Sequence, residues 1–238
     1  MPTTDGTAGG RQRTVVAEPA AVVVLTWILF PSLGAAGGWV VQWSAGWIAS
    51  LRYVPWRGLF RLVDSVDEPW ASIGALLVGA VVGLLVAAAA ARERLTVTVA
   101  DDLVLLVRGD VTRELRRERV GGVFRDGAQL VLLDTDGGEL ARESSDLPAD
   151  RLRAAFERHG YHWHADGDPY RDEWRRWVGD DADLPAGAGP LLRFRQQAVE
   201  RNDRRDMAEL RAELARLGVV VRDERKRQYW RTVRRPGG

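Results

Sequence analysis

The sequence predicts a two-helix membrane hairpin carrying an α+β soluble part. Three observations point there: an uncharged run from Pro19 to Leu51, a second from Ala71 to Ala91, and a switch to period-two patterning from Arg94 onward. The second run, ASIGALLVGAVVGLLVAAAAA, has Ser72 as its only polar side chain. At about 1.5 Å per residue, a helix of this length covers a hydrocarbon core of about 30 Å. A soluble core helix would turn a polar stripe toward water, and this one has none. Burial on all sides inside a globular domain is the alternative, and a chain of this size rarely encloses a helix so completely.

Composition narrows the function classes. The chain has 238 residues, a formal net charge of +1 and no cysteine. A disulfide framework, thiolate nucleophiles and thiolate metal sites are therefore excluded. Lys226 is the only lysine, and the arginine, alanine, glycine and valine bias suggests a GC-rich genome. The near-zero charge hides an asymmetry: residues 92–190 carry 15 basic and 21 acidic side chains, whereas residues 191–238 carry 14 and 7. Such a tail seeks a polyanionic partner or docks on its own acidic middle.

In chain order, residues 1–18 are polar and expected to be disordered. Residues 19–91 form the hairpin, with the first span at about Ala20 to Val41 and its natural break at Pro31 and Gly34 to Gly38. A cleaved signal peptide would begin at Arg11 and Arg13 and end near Ala36, but the apolar run continues past that point. Trp39, Trp43, Trp47, Tyr53 and Trp56 have the character of an interfacial belt, and residues 44–60 are expected to form a short helix and turn at headgroup level. Gly34/Gly38 and Gly79/Gly83 put small residues on one face of each span, for contact between the spans or with a second copy. The loop holds Arg52, Arg57 and Arg61, against Arg11, Arg13, Arg92, Arg94 and Arg108 on the other side. That bias places a multi-pass protein in the plasma membrane with cytoplasmic termini.

Residues 92–165 read as six short strands: Leu95–Val99, Leu103–Val107, Val111–Leu115, Val120–Phe124, Leu130–Asp134 and Glu139–Glu143. Turn signals such as Gly109-Asp110 and Asp126-Gly127 separate them. One helix follows, with Leu152, Ala155, Phe156 and His159 inward and Gly160 as its stop. A small barrel or sandwich closed by one helix is the order of a pleckstrin-homology (PH)-like domain. His159, His162 and His164 lie close in sequence, but their spacing suits no helical metal pair and no carboxylate is placed as a fourth ligand. Residues 166–190 are read as an amphipathic helix (Asp168–Val178, with Tyr170, Trp174 and Trp177 on one face) and a linker rich in Gly and Pro. The helix could pack on the PH-like domain or lie in the membrane interface.

Two runs carry a resemblance. The hairpin, RLTVT…LVLLVRGD…LVLLD…GGELARE…LRAAFERHGYHW and the later PYRDEWRRWV and QYWR resemble YqeB-type membrane proteins of actinobacteria. That resemblance implies a bacterial PH-like domain beside a membrane and no known activity. Residues 191–238 form two helices and a hairpin, with Asp203 as a cap and Met207, Leu210, Leu214 and Leu217 as an apolar stripe. They resemble the anticodon-binding end of cysteinyl-tRNA synthetases through Arg195, Ala198, Asp203, Leu210-Arg211, Leu214, Gly218, Asp223 and Trp230-Arg231. Val199, Asn202, Ala208, Glu224 and Arg227 depart from that pattern. The synthetase body is absent, so aminoacylation is excluded.

Two functions compete. One is a non-enzymatic adaptor at the cytoplasmic face that recruits a protein partner. The other is a membrane-tethered RNA binder, in which Arg195, Arg201, Arg204, Arg205, Arg211 and Arg231 meet phosphates while Tyr229 and Trp230 stack on bases. Against the second stands Trp230 as a core plug, with the arginines paired to Glu200, Asp206, Glu209 and Glu213. No triad, phosphate loop or zinc pattern is present, and neither cofactor nor metal is implied.

Overall fold

The computed structural model describes residues 13–50, 70–179 and 181–233. The chain divides into two compact units. One is helical, residues 17–96 with 107–112; the other holds residues 97–106 and 113–233 together with the strand before the first helix. The expected turn with Tyr53, Trp56 and the loop arginines lies outside the described residues, as do residues 1–12.

The helical unit is an antiparallel pair, α1 (Ala20–Ser50) and α2 (Trp70–Arg92). The helix α1 runs through Pro31 and on to Ser50 without ending, which corrects both the expected break and the expected start of a separate short helix at residue 44. Proline removes one amide donor, and a helix can absorb that loss where it is supported by a neighbour. That support comes from glycine. A Cβ on Gly34 would overlap the carbonyl of Gly79, one on Gly38 that of Ala75, and one on Gly83 that of Phe30. The two backbones therefore touch along the four glycines, and the surface considered for a second copy is occupied by the chain itself. At the open end, Arg94 lies 3.2 Å from Glu18 and donates to the Thr26 hydroxyl at 2.6 Å. Both helices are long and apolar enough to cross a membrane, and their outward Leu25, Ile28, Leu33, Leu77, Val78 and Leu85 are exposed. A helix buried on every side is thereby ruled out.

The second unit begins with β1 (Arg13–Val16), which pairs antiparallel with β2 (Leu95–Ala100) from Arg13↔Ala100 to Val16↔Val97. The segment expected to be disordered thus ends in a strand, because Val16 is apolar enough to bury and the free edge of β2 offers it a ladder. Next come β3 (Leu103–Arg108), β4 (Val111–Arg116), β5 (Val120–Asp126), β6 (Gln129–Asp134) and β7 (Glu139–Ser144). Each falls within two residues of its predicted limits. They form two four-stranded sheets, β1-β2-β3-β4 and β7-β6-β5-β8, where β8 is Trp163–His164. These sheets do not close into a barrel among the described residues. Val97, Val104 and Leu132 of the sheets and Leu152 and Phe156 of α3 (Ala149–Arg158) are all fully buried.

The C-terminal module packs α4 (Ala188–Arg201) and α5 (Arg204–Arg216) on a three-stranded sheet. Its order is β10-β11-β9, with β10 at Val219–Glu224, β11 at Arg227–Thr232 and β9 at Arg175–Arg176. Asp203 accepts from the amides of Arg205 and Asp206 and caps α5 as expected. The expected helix over Asp168–Val178 is absent. A short 3-10 turn at Arg171–Glu173 leads instead into β9, whose Trp230↔Arg175 register spends on β11 the backbone that a helix would have satisfied internally.

The glycine contact yields a direct test. Gly79→Leu or Gly34→Leu should separate the helices and lower the thermal midpoint of the full chain in detergent micelles. Gly37→Leu and Gly74→Leu, where an added Cβ meets nothing within 4 Å, should leave it in place. Equal midpoints across all four variants would refute backbone-to-backbone packing.

Candidate functional site

Of the eight residues expected to meet RNA, three lie inside the protein. Trp230 is 2% exposed and packs among Leu192, Leu214, Val219 and Val221, with Trp177 and Leu184 against the same cluster. Arg195 is fully buried; it binds Asp223 through two bonds of 2.6 Å each and donates to Gln228 at 2.7 Å. Arg231, also 2% exposed, donates to the Gly137 carbonyl at 2.6 Å, and its guanidinium lies 4.2 Å above Tyr170 and 5.2 Å from Trp174. Burial holds the Arg231 guanidinium below its ordinary pKa, an effect that nearby Glu139 and Asp168 oppose. All three are engaged inside the protein rather than displayed on its surface.

The stack extends further. Arg222 lies 4.7 Å from the ring of Trp174 and 5.6 Å from that of Tyr229, and the Trp174 indole donates to Asp168 at 2.6 Å. Tyr170, Arg231, Trp174, Arg222 and Tyr229 therefore alternate ring and cation, an attraction of about 0.5–2 kcal/mol per contact. Tyr229 thus has a partner and is half-buried. Arg201 and Arg205 are exposed and sit by Asp206 (3.8 Å) and Glu209 (3.0 Å). Arg204 is exposed with no ion-pair partner among the described residues.

Arg211 differs from all of these. It lines a groove of about 560 Å³ between β7 and α5, together with Arg113, Arg142, Arg204, Glu139 and Glu143. The floor is small and apolar: Ala141 of β7 and Met207, Ala208, Ala212 and Ala215 of α5. Arg142, almost fully buried, is saturated: it grips Glu139 at 2.7 and 3.0 Å, Asp126 at 2.8 Å and Gln129 at 2.7 Å. Burial opposes its charge, but Glu139 and Asp126 outweigh that and raise its pKa. Arg211, 32% exposed, has only distant carboxylates, with Glu139 and Asp223 each at 4.0 Å. Burial comes first in lowering its pKa, and Arg195 and Arg142 add like-charge repulsion to it. Sequence reasoning missed Arg113 and Arg142, since nothing local distinguishes an arginine on a strand that faces a groove from one that faces water.

The three histidines part ways. The ring of His159 bonds Asp101 through Nδ1 at 2.6 Å and Thr14 through Nε2 at 2.9 Å. With the Nδ1 proton directed to Asp101, Nε2 accepts from the Thr14 hydroxyl. The order is that of a hydrolase triad, yet His159 is buried and no described pocket opens on it. It clamps β1 to the start of the β2–β3 turn and the end of α3. His162 and His164 meet edge to face at 4.4 Å, and Gly122 leaves the room that His164 fills. No group of metal-ligating side chains gathers among the described residues.

Comparison with known proteins places this architecture. Residues 14–164 match the family described as the YqeB-like bacterial PH domain. Over 221 residues the chain is 36% identical to the uncharacterized protein YqeB of Bacillus subtilis (strain 168), covering 93% of this chain and 92% of that one. The chain belongs to the YqeB-like family. That family reaches beyond the actinobacteria suggested by the sequence motifs. Residues 181–231 also match the cysteinyl-tRNA ligase anticodon binding domain, a span that takes in part of the segment read as a linker. No solved structure matches the chain significantly.

Two measurements check the site of this YqeB-like chain. Trp230→Ala should cost about 3–5 kcal/mol through the cavity it leaves, and Arg195→Ala about 3–5 kcal/mol by removing both close bonds of Asp223, which then has Arg211 only at 4.0 Å. Arg204→Ala should not shift the melting midpoint; a similar loss there would contradict the assigned burial. The second measurement concerns pH. Burial first, and His162 second, hold His164 below the ordinary histidine range near 6.5. Between those two values the unfolded chain binds more protons, so stability is complete above the unfolded pKa and falls as pH drops through the window. His164→Gln should flatten that decline as pH falls through and below the ordinary histidine range, measured by tryptophan fluorescence; an unchanged slope would rule the effect out.

Proposed function

We propose that this protein is a non-enzymatic adaptor anchored in the plasma membrane by α1 and α2, with both termini cytoplasmic and the PH-like and anticodon-domain-like modules held at that face to recruit a protein partner. The observation that carries the reading is the internal use of Arg195, Trp230 and Arg231. The residues best suited to read RNA hold the C-terminal module together, and the module's exposed charges on α4 and α5 are largely paired. The uncovered apolar faces of both helices support the anchor, and the arginine bias supports the orientation.

RNA binding is the second reading, favoured by the match of residues 181–231 and by Arg201, Arg204 and Arg205 on the surface. Titrating the full chain in lipid nanodiscs with tRNA at several salt concentrations separates the two. The adaptor reading expects weak binding, a steep salt slope and little choice between RNAs, since a few exposed arginines act through counterion release alone. A salt-insensitive complex selective for one RNA would overturn it, as would reporter fusions placing the termini outside the cell.

A further inference from the structure

We infer that the groove between β7 and α5 is a docking site for an extended, acidic peptide segment of a partner protein. The inference rests on the adaptor reading and names the chemistry of the partner. Three properties of the groove lead to it: length, floor and charge.

One wall is β7, the outer strand of its sheet. At about 3.4 Å per residue its lining residues, Glu139 to Glu143, span about 17 Å. The other wall is α5, whose lining residues run from Arg204 to Ala215, about 17 Å at 1.5 Å per residue. Two walls of similar length enclose a slot that suits five or six residues of extended chain better than a compact ion. A strand laid along a sheet edge is a recurrent mode of peptide recognition, with backbone bonds supplying affinity and alternate side chains supplying choice. At one end, Arg113 meets the Leu140 carbonyl at 3.5 Å, a long bond that an incoming amide would displace.

The floor selects small side chains. Arg204, Ala208, Arg211, Ala212 and Ala215 recur at helical spacing on one stripe of α5, and the alanines at 208, 212 and 215 are exposed. Alternation of side chains along a bound strand would place every second residue over these alanines, where bulk is excluded, and the others beside the arginines.

Charge selects acidic residues. Arg113, Arg142, Arg204 and Arg211 line the groove against Glu139 and Glu143, and the buried Arg195 lies beneath it. Counting Asp126 and Asp223, which bind Arg142 and Arg195 from behind, one positive charge remains. It resides on the α5 wall: Arg204 has no ion-pair partner among the described residues, and Arg211 has none closer than 4.0 Å. A carboxylate entering there gains a charge-assisted bond without displacing an existing one.

The test uses the full chain in neutral-lipid nanodiscs and a fluorescent, end-capped peptide of alternating Ala with Asp or Glu, eight residues long, read by anisotropy. Binding should weaken about tenfold or more with Arg204→Ala or with Ala212→Trp, which fills the slot from an exposed position. Arg205→Ala removes the same charge from outside the groove and should change it less than twofold. A peptide with Lys in place of the acidic residues should not bind. No binding of the acidic peptide, equal loss from Arg204→Ala and Arg205→Ala, or indifference to Ala212→Trp would each overturn the site. So would complete displacement by single-stranded RNA at equal charge concentration, which would transfer the groove to a nucleic acid. The adaptor reading fails elsewhere, on the tRNA titration and the topology reporters, so the two failures are distinguishable.

Discussion

The guanidinium of Arg231 is the point on which the sheet-rich unit depends. It comes from the last strand of the C-terminal sheet, stacks on Tyr170 and Trp174 from the segment before that module, and donates to Gly137 in the turn between β6 and β7. One side chain thus ties three distant stretches of sequence together. Its burial is tolerable because the aromatic faces and the carbonyl replace much of the lost hydration. With Arg231 held in this way, β11 is fixed beside β9 and Trp230 is turned into the core. Leu214 and Leu217 of the predicted α5 stripe close over it, Leu214 fully buried, whereas Met207 lines the groove. The PH-like and anticodon-domain-like portions therefore form one body, and the groove between β7 and α5 exists because of that union.

The helical hairpin obeys a different constraint. Both helices are apolar all round, so no polar stripe singles out their shared face, and close backbone packing fixes the contact instead. Four glycines bring the backbones together, and Arg94 ties the open end to Glu18 and Thr26. This close approach also explains why Pro31 interrupts nothing visible: the facing Gly83 lets the second helix pack directly against that turn.

The two synthetase-like features that attract attention in the sequence, a Trp-Arg pair and an arginine-rich helix, have different fates. The pair is architectural. The helix keeps two of its arginines, Arg204 and Arg211, facing a groove with charge to spare, while Arg205 points to solvent beside Glu209. A likeness in sequence pattern therefore carries the module's packing more faithfully than it carries a ligand, because residues that hold a core tolerate fewer changes than residues on a surface.

The strands β2 to β7, the hairpin β10–β11, the helices α2 to α5 and the Asp203 cap were legible because each rests on a local signal: a hydrophobic period, a turn dipeptide or a capping side chain. Asp168–Val178 was not, since its aromatic spacing suits a helix face and a strand ladder alike, and only the presence of β11 decides between them. Likewise Arg195 and Arg204 are indistinguishable as letters; one is sealed against Asp223 and the other borders an open groove. Sequence alone determined the membrane-compatible hairpin, the run of strands from β2 to β7 with the helix that follows it, and the absence of thiol chemistry. Tertiary structure alone decided which arginines and aromatics are spent inside, because burial and pairing depend on neighbours brought together from far along the chain.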